Sequence, residues 1–342
     1  MTTLTPHRLC FLVLLGCVSV TIGCVRRAEN EVVVYTALDQ EFSAPILDGF
    51  TRANDKKILP VAKFDVESTK TIGLVNRIIA EKDRVACDLF WNNEILHTVR
   101  LQKLGLLQPH RWQVPSDWPA IASDGTWCGF AARARVLVIN TNLLDDPSTW
   151  PRSVRELSDP RWKDRCAMAR PLFGTTATHA AVLFATLGEE EAGRFLREVA
   201  QNAAILSGNK QVAQQVALGK FAWGITDTDD AIIEVEAGLP VVIVFPDQLP
   251  NQWGTLLIPN TIAILKGAPH PVAATKLADY LVSPQTEDRL AMGDSAQIPL
   301  SREASTQPRV IPPEGARWMK VDYEQAADQW ENVARLLTEM FP

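Results

Sequence analysis

Val32-Val33-Val34-Tyr35 is a continuous β-branched run, and Phe42, Ile46, Leu47 and Phe50 follow it at helical spacing. A run that is apolar at every position, rather than at alternate ones, reads as a parallel strand buried on both faces. The pattern repeats. Residues 59–66 read as a second strand. Ser68 stands before a helix that carries Ile72, Val75 and Ile79 on one face, and it is placed to cap that helix. Cys87-Asp88-Leu89-Phe90-Trp91 is a third strand ending in Asn92-Asn93-Glu94, and a helix with Ile95, Val99 and Leu104 comes next. The βαβαβα order is that of an open parallel sheet with helices on both faces, so the fold class is α/β.

The register then breaks. Residues 109–125 are rich in Pro and Trp and irregular, and residues 130–140 resume as a strand. A second α/β series opens near Cys166. Its helices are predicted at 177–187, 189–200 and 211–218, and its strands at 222–225 and 241–245. A strand-like stretch at 255–265, a helix at 271–282 and a terminal helix at 323–340 complete the chain. Two α/β units joined by crossings near 130–140 and 255–265 imply two lobes with a cleft between them. Ligands of open α/β sheets sit beyond the carboxyl ends of the strands. That rule selects residues 36–40, 67–71, 92–94, 174–178 and 226–230.

The N-terminus bears on where the protein works. His7 and Arg8 precede an apolar run over 9–20, which breaks at Gly23-Cys24 before Arg26 and Arg27. This is the pattern of an export signal, and the run is short of the about 20 apolar residues of a bilayer span. A cysteine after glycine resembles the lipobox of bacterial lipoproteins, in which that cysteine is lipidated. Cys24 is the favoured site, because Cys17 would leave Val18, Val20 and Ile22 exposed on the tether; a plain secretory signal is the other reading. The leader is placed at 1–24 and the tether at 25–31. The expected location is periplasmic or cell-surface, on a membrane through an N-terminal lipid.

Composition narrows the function class. The 342 residues are 46% hydrophobic and 22% charged, ordinary for a globular chain of about two domains. Net charge is −6, with no basic nucleic-acid footprint. Cys87, Cys128 and Cys166 fit neither a zinc ribbon nor a disulfide-dense scaffold, although they leave room for one disulfide. No nucleophile elbow, phosphate-binding P-loop or dinucleotide fingerprint occurs. His97 and His179 stand singly and read as surface or structural residues.

Residues 32–42 (Val-Val-Val-Tyr-Thr-Ala-Leu-Asp-Gln-Glu-Phe) resemble the opening strand and helix of ferric-iron-type solute-binding proteins of ABC transporters. These belong to extracellular solute-binding protein family 1. Glu67-Ser68-Thr69-Lys70-Thr71, residues 88–94, Arg133-Ala134-Arg135-Val136 and Gln297-Ile298-Pro299-Leu300 resemble further blocks of that family. The resemblance implies a type II periplasmic-binding fold: two α/β lobes joined by a hinge, closing on a ligand and delivering it to permease subunits in the membrane. It places the first lobe at 32–132 and 260–342 and the second at 133–259. It implies a monomer with no catalysis and no cofactor, a bound metal being cargo.

The chain departs from the family at the metal. Ferric-binding members hold iron with a pair of adjacent tyrosines, and the corresponding segment here is Gly224-Ile225-Thr226-Asp227-Thr228-Asp229-Asp230. The three tyrosines, Tyr35, Tyr280 and Tyr323, are unpaired in sequence. A first-lobe histidine of some members falls near Asp39, and a first-lobe glutamate near Asn93 or Glu94. A tyrosinate iron site is therefore not expected, whereas the fold and transport role are.

The residue types themselves suggest a polar ligand. Asp227, Asp229 and Asp230 open a helix, where capping is the simple explanation for one of them. Three carboxylates in four residues need an opposing charge; Asp227 and Asp229 are the candidate metal ligands, their hard oxygens suiting a cation or, equally, sugar hydroxyls. Ser68 and Thr69, and Gly174-Thr175-Thr176, place hydroxyls at two helix starts, which suits an anion. Arg133 could neutralise that anion, or simply form an ion pair. Asn92, Asn93, Glu94 and Asp39 complete the candidate ligand-binding set. The leading expectation is an importer receptor for iron(III) or another metal–anion complex. The alternatives are a receptor for an organic phosphate, phosphonate or sugar phosphate, a secreted enzyme on the same scaffold, and a sensory receptor.

Overall fold

A computed structural model describes residues 30–65, 71–115 and 118–342. The leader with Cys17 and Cys24, and the segment holding Ser68 and Thr69, lie outside the described residues. The chain opens as β1 (Glu31–Thr36), α1 (Gln40–Ala53), β2 (Leu59–Phe64), α2 (Ile72–Ala80), β3 (Leu89–Asn92), α3 (Leu96–Lys103) and β4 (Leu107–Gln108). Strand β1 runs parallel to β2 on one side and β3 on the other. Its alternate residues serve two cores. Val33 and Tyr35 pack with Leu74, Val75 and Ile78 of α2, while Val32 and Val34 pack with Phe42 and Ile46 of α1. Both faces are covered, which is why the run is apolar without alternation. Each valine so buried contributes at most about 1.5–3 kcal/mol.

Strand β5 (Trp127–Asn140) is buried throughout and belongs to two sheets in turn. From Trp127 to Ala134 it lies antiparallel to β10 (Leu257–Leu265), and β10 in turn pairs with β3. From Arg135 onward it pairs with β8 (Trp223–Asp227) and β9 (Val241–Val244). The second group is completed by β6 (Cys166–Ala169), parallel to β8, and β7 (Ala204–Leu206), parallel to β6. Helices α4 (Gly174–Leu187), α5 (Glu189–Asn202), α6 (Asn209–Ala217) and α7 (Thr228–Glu236) belong to this group. The strand order is β2-β1-β3-β10-β5-β8-β6-β7. The hand-over from one sheet to the other falls between Ala134 and Arg135.

A bulge marks the crossing. Ala131 has no partner across the ladder, where the register shifts between Pro259 and Asn260, and its φ is 38°. Glu287, on α9 (Pro284–Met292), accepts its N–H at 2.6 Å. Helix α8 (Pro271–Leu281) covers the first lobe. Helix α10 (Tyr323–Met340) spans both groups: Lys103 donates to its Asp328 at 2.7 Å, and its Asn332 donates to Glu189 at 2.8 Å. No helix among the described residues is long and apolar enough to cross a membrane.

Several expectations need correction. The buried stripe of α2 is Leu74, Val75 and Ile78, with Ile72 and Ile79 only half-buried. Leu104 lies past the end of α3 and is 55% exposed; Leu101 takes the buried place. Helix α9 was not expected at all, because Pro284-Gln285-Thr286-Glu287-Asp288 has no apolar stripe. Cys87, Cys128 and Cys166 are free and buried, so the room for a disulfide is unused. Of the two readings given for His97 and His179, surface or structural, burial selects the structural one.

Candidate functional site

The cleft lies where β5 changes sheet. It is lined from one side by Asp39 and Asn93 and from the other by Arg133, Arg170, Thr175, Thr176, Asn209, Lys210, Asp227, Asp229 and Asp230, and its empty space is about 560 Å³ with the open mouth included. Apart from Phe173 and Ala169 its side chains are polar or absent.

Three helix starts meet here. Helix α4 begins at Gly174, whose φ of +54° suits glycine and strains other residues. Helix α6 begins at Asn209 and lies close on β8: a Cβ at Gly224 would come within 2.5 Å of Val212. Helix α7 begins just after Asp227. Each presents free N–H groups and the positive end of its dipole to the cleft.

Side chains knit these starts together. Asp227 occupies the cap position of α7 but makes no capping bond with its side chain. Instead Oδ1 accepts from Arg135 Nη1 at 2.7 Å, and Oδ2 accepts from Thr175 Oγ1 and from Asn209 Nδ2, the latter at 3.0 Å. Asn209 uses its amide fully: its Oδ1 accepts from Thr176 Oγ1 and Arg135 Nη1, each at 3.0 Å. Thr226 Oγ1 donates to the Asn209 carbonyl at 2.9 Å and ties α6 to β8. The capping explanation therefore fails for Asp227, whose carboxylate answers a buried arginine. Asp229 retains a local role, accepting the Asp230 N–H at 3.2 Å.

Arg133 and Arg135 stand two residues apart on β5, hence on one face of the strand. Arg133 Nη1 lies 3.1 Å from Asp229 Oδ2, and its Nη2 reaches Asn260 Oδ1 at 3.4 Å. Burial disfavours the Arg133 charge, but Asp229, Asp227, Asp230 and Asp39 outweigh it and hold its pKa above the ordinary arginine value. One oxygen each from Asp227, Asp229 and Asp230 lie within 4.8 Å of one another, so the three could share a hard cation. None of the three tyrosines lines the cleft.

The structure thus brings together Asp39, Asn93, Arg133, Gly174, Thr175, Thr176, Asp227 and Asp229. It does not bring Asn92 and Glu94 to the surface of the cleft. Asn92 Nδ2 donates to Glu94 Oε1 at 2.7 Å, and Thr178 Oγ1 donates to Glu94 Oε2 at 2.8 Å. These two are a correction: strand-end polar residues that bind each other and α4 rather than a ligand. Burial pushes the Glu94 carboxyl above its usual range. Arg135, Asn209, Arg170 and Lys210 were missed. For Arg135 the signal was there, two residues from Arg133; Asn209 lacks a local one, since it becomes a site residue only once α6 is folded against β8.

The family model for bacterial extracellular solute-binding proteins matches residues 83–326. The Fe(3+)-binding periplasmic protein of Serratia marcescens is 24% identical over 321 residues, which cover 91% of this chain and 90% of that one. Iron uptake protein A1 of Synechocystis sp. is 25% identical over 269 residues, covering 71% and 72%. Iron-bound HitA from Pseudomonas aeruginosa superposes with a TM-score of 0.78 at 21% identity, covering 90% of this chain and 99% of that one. The periplasmic binding protein AfuA from Actinobacillus pleuropneumoniae, solved with fructose-6-phosphate, gives 0.77 at 20% identity, covering 91% and 98%. At these identities the structural likeness is one of fold.

Proposed function

This chain belongs to the bacterial extracellular solute-binding proteins, and on that premise we propose that it is the solute receptor of an ABC importer that captures iron(III) as a complex with an anion. The carrying observation is the convergence of the Asp227, Asp229 and Asp230 oxygens with the starts of α4 and α6 in one interlobe cleft. Hard oxygens suit the metal and free N–H groups suit the anion. The names of the Serratia and Synechocystis relatives support the same reading. In it, β5 and β10 are the hinge between a lobe at 32–132 and 260–342 and a lobe at 133–259. Asp39, Asn93, Arg133, Gly174, Thr175, Thr176, Asp227 and Asp229 hold the solute. The solute passes unaltered to the permease subunits; iron is cargo rather than cofactor. The receptor acts as a monomer, anchored to a membrane through Cys24, with Cys17 the alternative.

Calorimetric titration of the purified receptor with ferric citrate tests this reading, together with native mass spectrometry of the solute that co-purifies. Saturable binding at one site supports it, and a protein that takes up no ferric complex does not fit it.

One observation favours a second solute class. The hydroxyls of Thr175 and Thr176 and the cations Arg170 and Lys210 surround the helix starts, an arrangement suited to a phosphate group. Asp39 and Asn93 across the cleft could then hold sugar hydroxyls. Binding of fructose 6-phosphate without metal would establish an organic phosphate as the solute instead.

A further inference from the structure

Asp229, Asp227, Asp230 and Asp39 all act on the charge of one guanidinium, that of Arg133. Arg133 and Asp229 are 3.1 Å apart, and each side chain is 5% exposed. Asn260 holds Arg133 from the far side. Asn260 is itself fixed by Gln297, to whose Oε1 its amide donates at 2.6 Å, so the guanidinium is braced against swinging out. Arg135 neutralises Asp227 from behind the cleft wall, with its side chain wholly buried. The three-carboxylate cluster that could hold a metal ion therefore already has two cations of its own. The Nε of Arg133 has no hydrogen-bond partner among the described residues.

We infer that Arg133 and Arg135 are specificity determinants, resident cations that bar a bare metal ion from the Asp227–Asp229–Asp230 cluster and admit only a solute that brings its own anionic groups. The inference rests on this cleft being the solute site, and it holds for a ferric complex and for an organic phosphate alike. A guanidinium about 4 Å from a bound unit charge opposes it, at an effective dielectric of about 20, by roughly a thousandfold, which offsets the attraction of one carboxylate at the same distance. A chelated metal escapes this penalty because its anionic ligands face the guanidinium, which accepts carboxylate or phosphate in a bidentate fork.

The probe is terbium(III) alone, titrated by calorimetry against wild-type receptor, Arg133→Gln and Arg133→Lys. The expected result is no saturable binding to the wild type or to Arg133→Lys at submillimolar terbium, and a gain of at least about a hundredfold in Arg133→Gln. Saturable binding of terbium by the wild-type protein would overturn the inference without recourse to any variant. So would an Arg133→Gln protein that has native circular dichroism and gains nothing. Failure of the solute reading itself would show elsewhere, in wild-type protein that takes neither ferric citrate nor fructose 6-phosphate.

Discussion

Arg135 and Asp227 meet at 2.7 Å with side chains 0% and 3% exposed, directly opposite each other in the β5–β8 ladder. Two charges withdrawn from water this far depend on each other. Removing one partner leaves the other buried and unpaired, which destabilises by about 3–5 kcal/mol. Arg135→Met is expected to lower the free energy of unfolding in urea by that amount. Arg135→Met combined with Asp227→Asn should recover part of the loss, because no unpaired charge is left inside. Equal loss in the single and double variants would mean that the ion pair is not the source.

Glu287 holds the bulge in the crossing strand. Its carboxylate accepts the N–H groups of Ala131 at 2.6 Å, Leu300 at 3.0 Å and Ser301 at 2.7 Å. Burial raises its pKa. Glu287→Ala strands three donors, each worth about 1–3 kcal/mol when left unsatisfied, so a loss of about 3 kcal/mol or more is expected in urea unfolding. Ala131→Gly is expected to leave stability unchanged or slightly raised, because a φ of 38° costs alanine more than glycine. A severe loss from Ala131→Gly would show that the bulge is not strained.

These two clusters show how much a sequence discloses. The β-branched run at Val32–Tyr35 and the apolar spacing of the terminal helix identify their elements, because burial on a known period leaves a local imprint. The polar ends of β1 and β8 could be placed by the rule for open sheets. Asn92 and Glu94 obey the same rule and yet turn inward, since Thr178 of a distant helix supplies the partner that decides their direction. Arg135, Asn209 and Glu287 are long-range choices of this kind. Arg135 and Asn209 acquire their roles from Asp227, and Glu287 holds the bulge through Ala131, 156 positions away, so no short window of sequence contains both partners.

His97 and His179 make the fold sensitive to acid. Burial, then the nearby charge of Arg100 for the first and Arg135 for the second, lowers each pKa from 6.5 to about 3. Arg100 Nη1 faces His97 Nδ1 at 2.9 Å, and Trp330 packs edge-on against the ring. Between those values the unfolded chain binds a proton that the native state does not. Stability present above pH 6.5 is therefore lost as pH falls toward 3, by about 2 kcal/mol per histidine at pH 5. Glu94 and Glu287 carry the opposite sign: their pKa values are raised, so their contribution is full below the ordinary carboxylate range and declines as pH rises. Urea midpoints between pH 7 and 5 should fall, and His97→Phe or His179→Phe should each flatten the slope. An unchanged slope in both variants would place the acid sensitivity elsewhere.

The three buried thiols should be silent in the native state. Burial raises the pKa of Cys166 to about 12 and pushes Cys87 and Cys128 higher still. A thiol kept protonated and enclosed does not attack a disulfide reagent. In protein lacking residues 1–24, Ellman's reagent at pH 8 is expected to find no reactive thiol before unfolding and three after it. Fast reaction of one thiol in the folded protein would contradict its enclosure.

Lys210 on α6 and Glu41 on α1 face each other at 3.3 Å from the two lobes, with side chains 51% and 55% exposed. An ion pair this open to solvent contributes between about 0 and 1 kcal/mol and is screened by salt. It cannot by itself hold the lobes together, so Lys210→Ala should change urea stability by less than about 0.5 kcal/mol. Lys210 also lines the cleft proposed to take the solute, and there its charge should matter more. If the solute carries an anion, Lys210→Ala should weaken its binding by about five- to tenfold at low salt, and less at 0.5 M salt. Glu41→Ala frees the same ammonium and should leave binding equal or slightly tighter. Matching losses in the two variants would make the pair a latch between the lobes, whereas opposite signs would make Lys210 part of the anion seat.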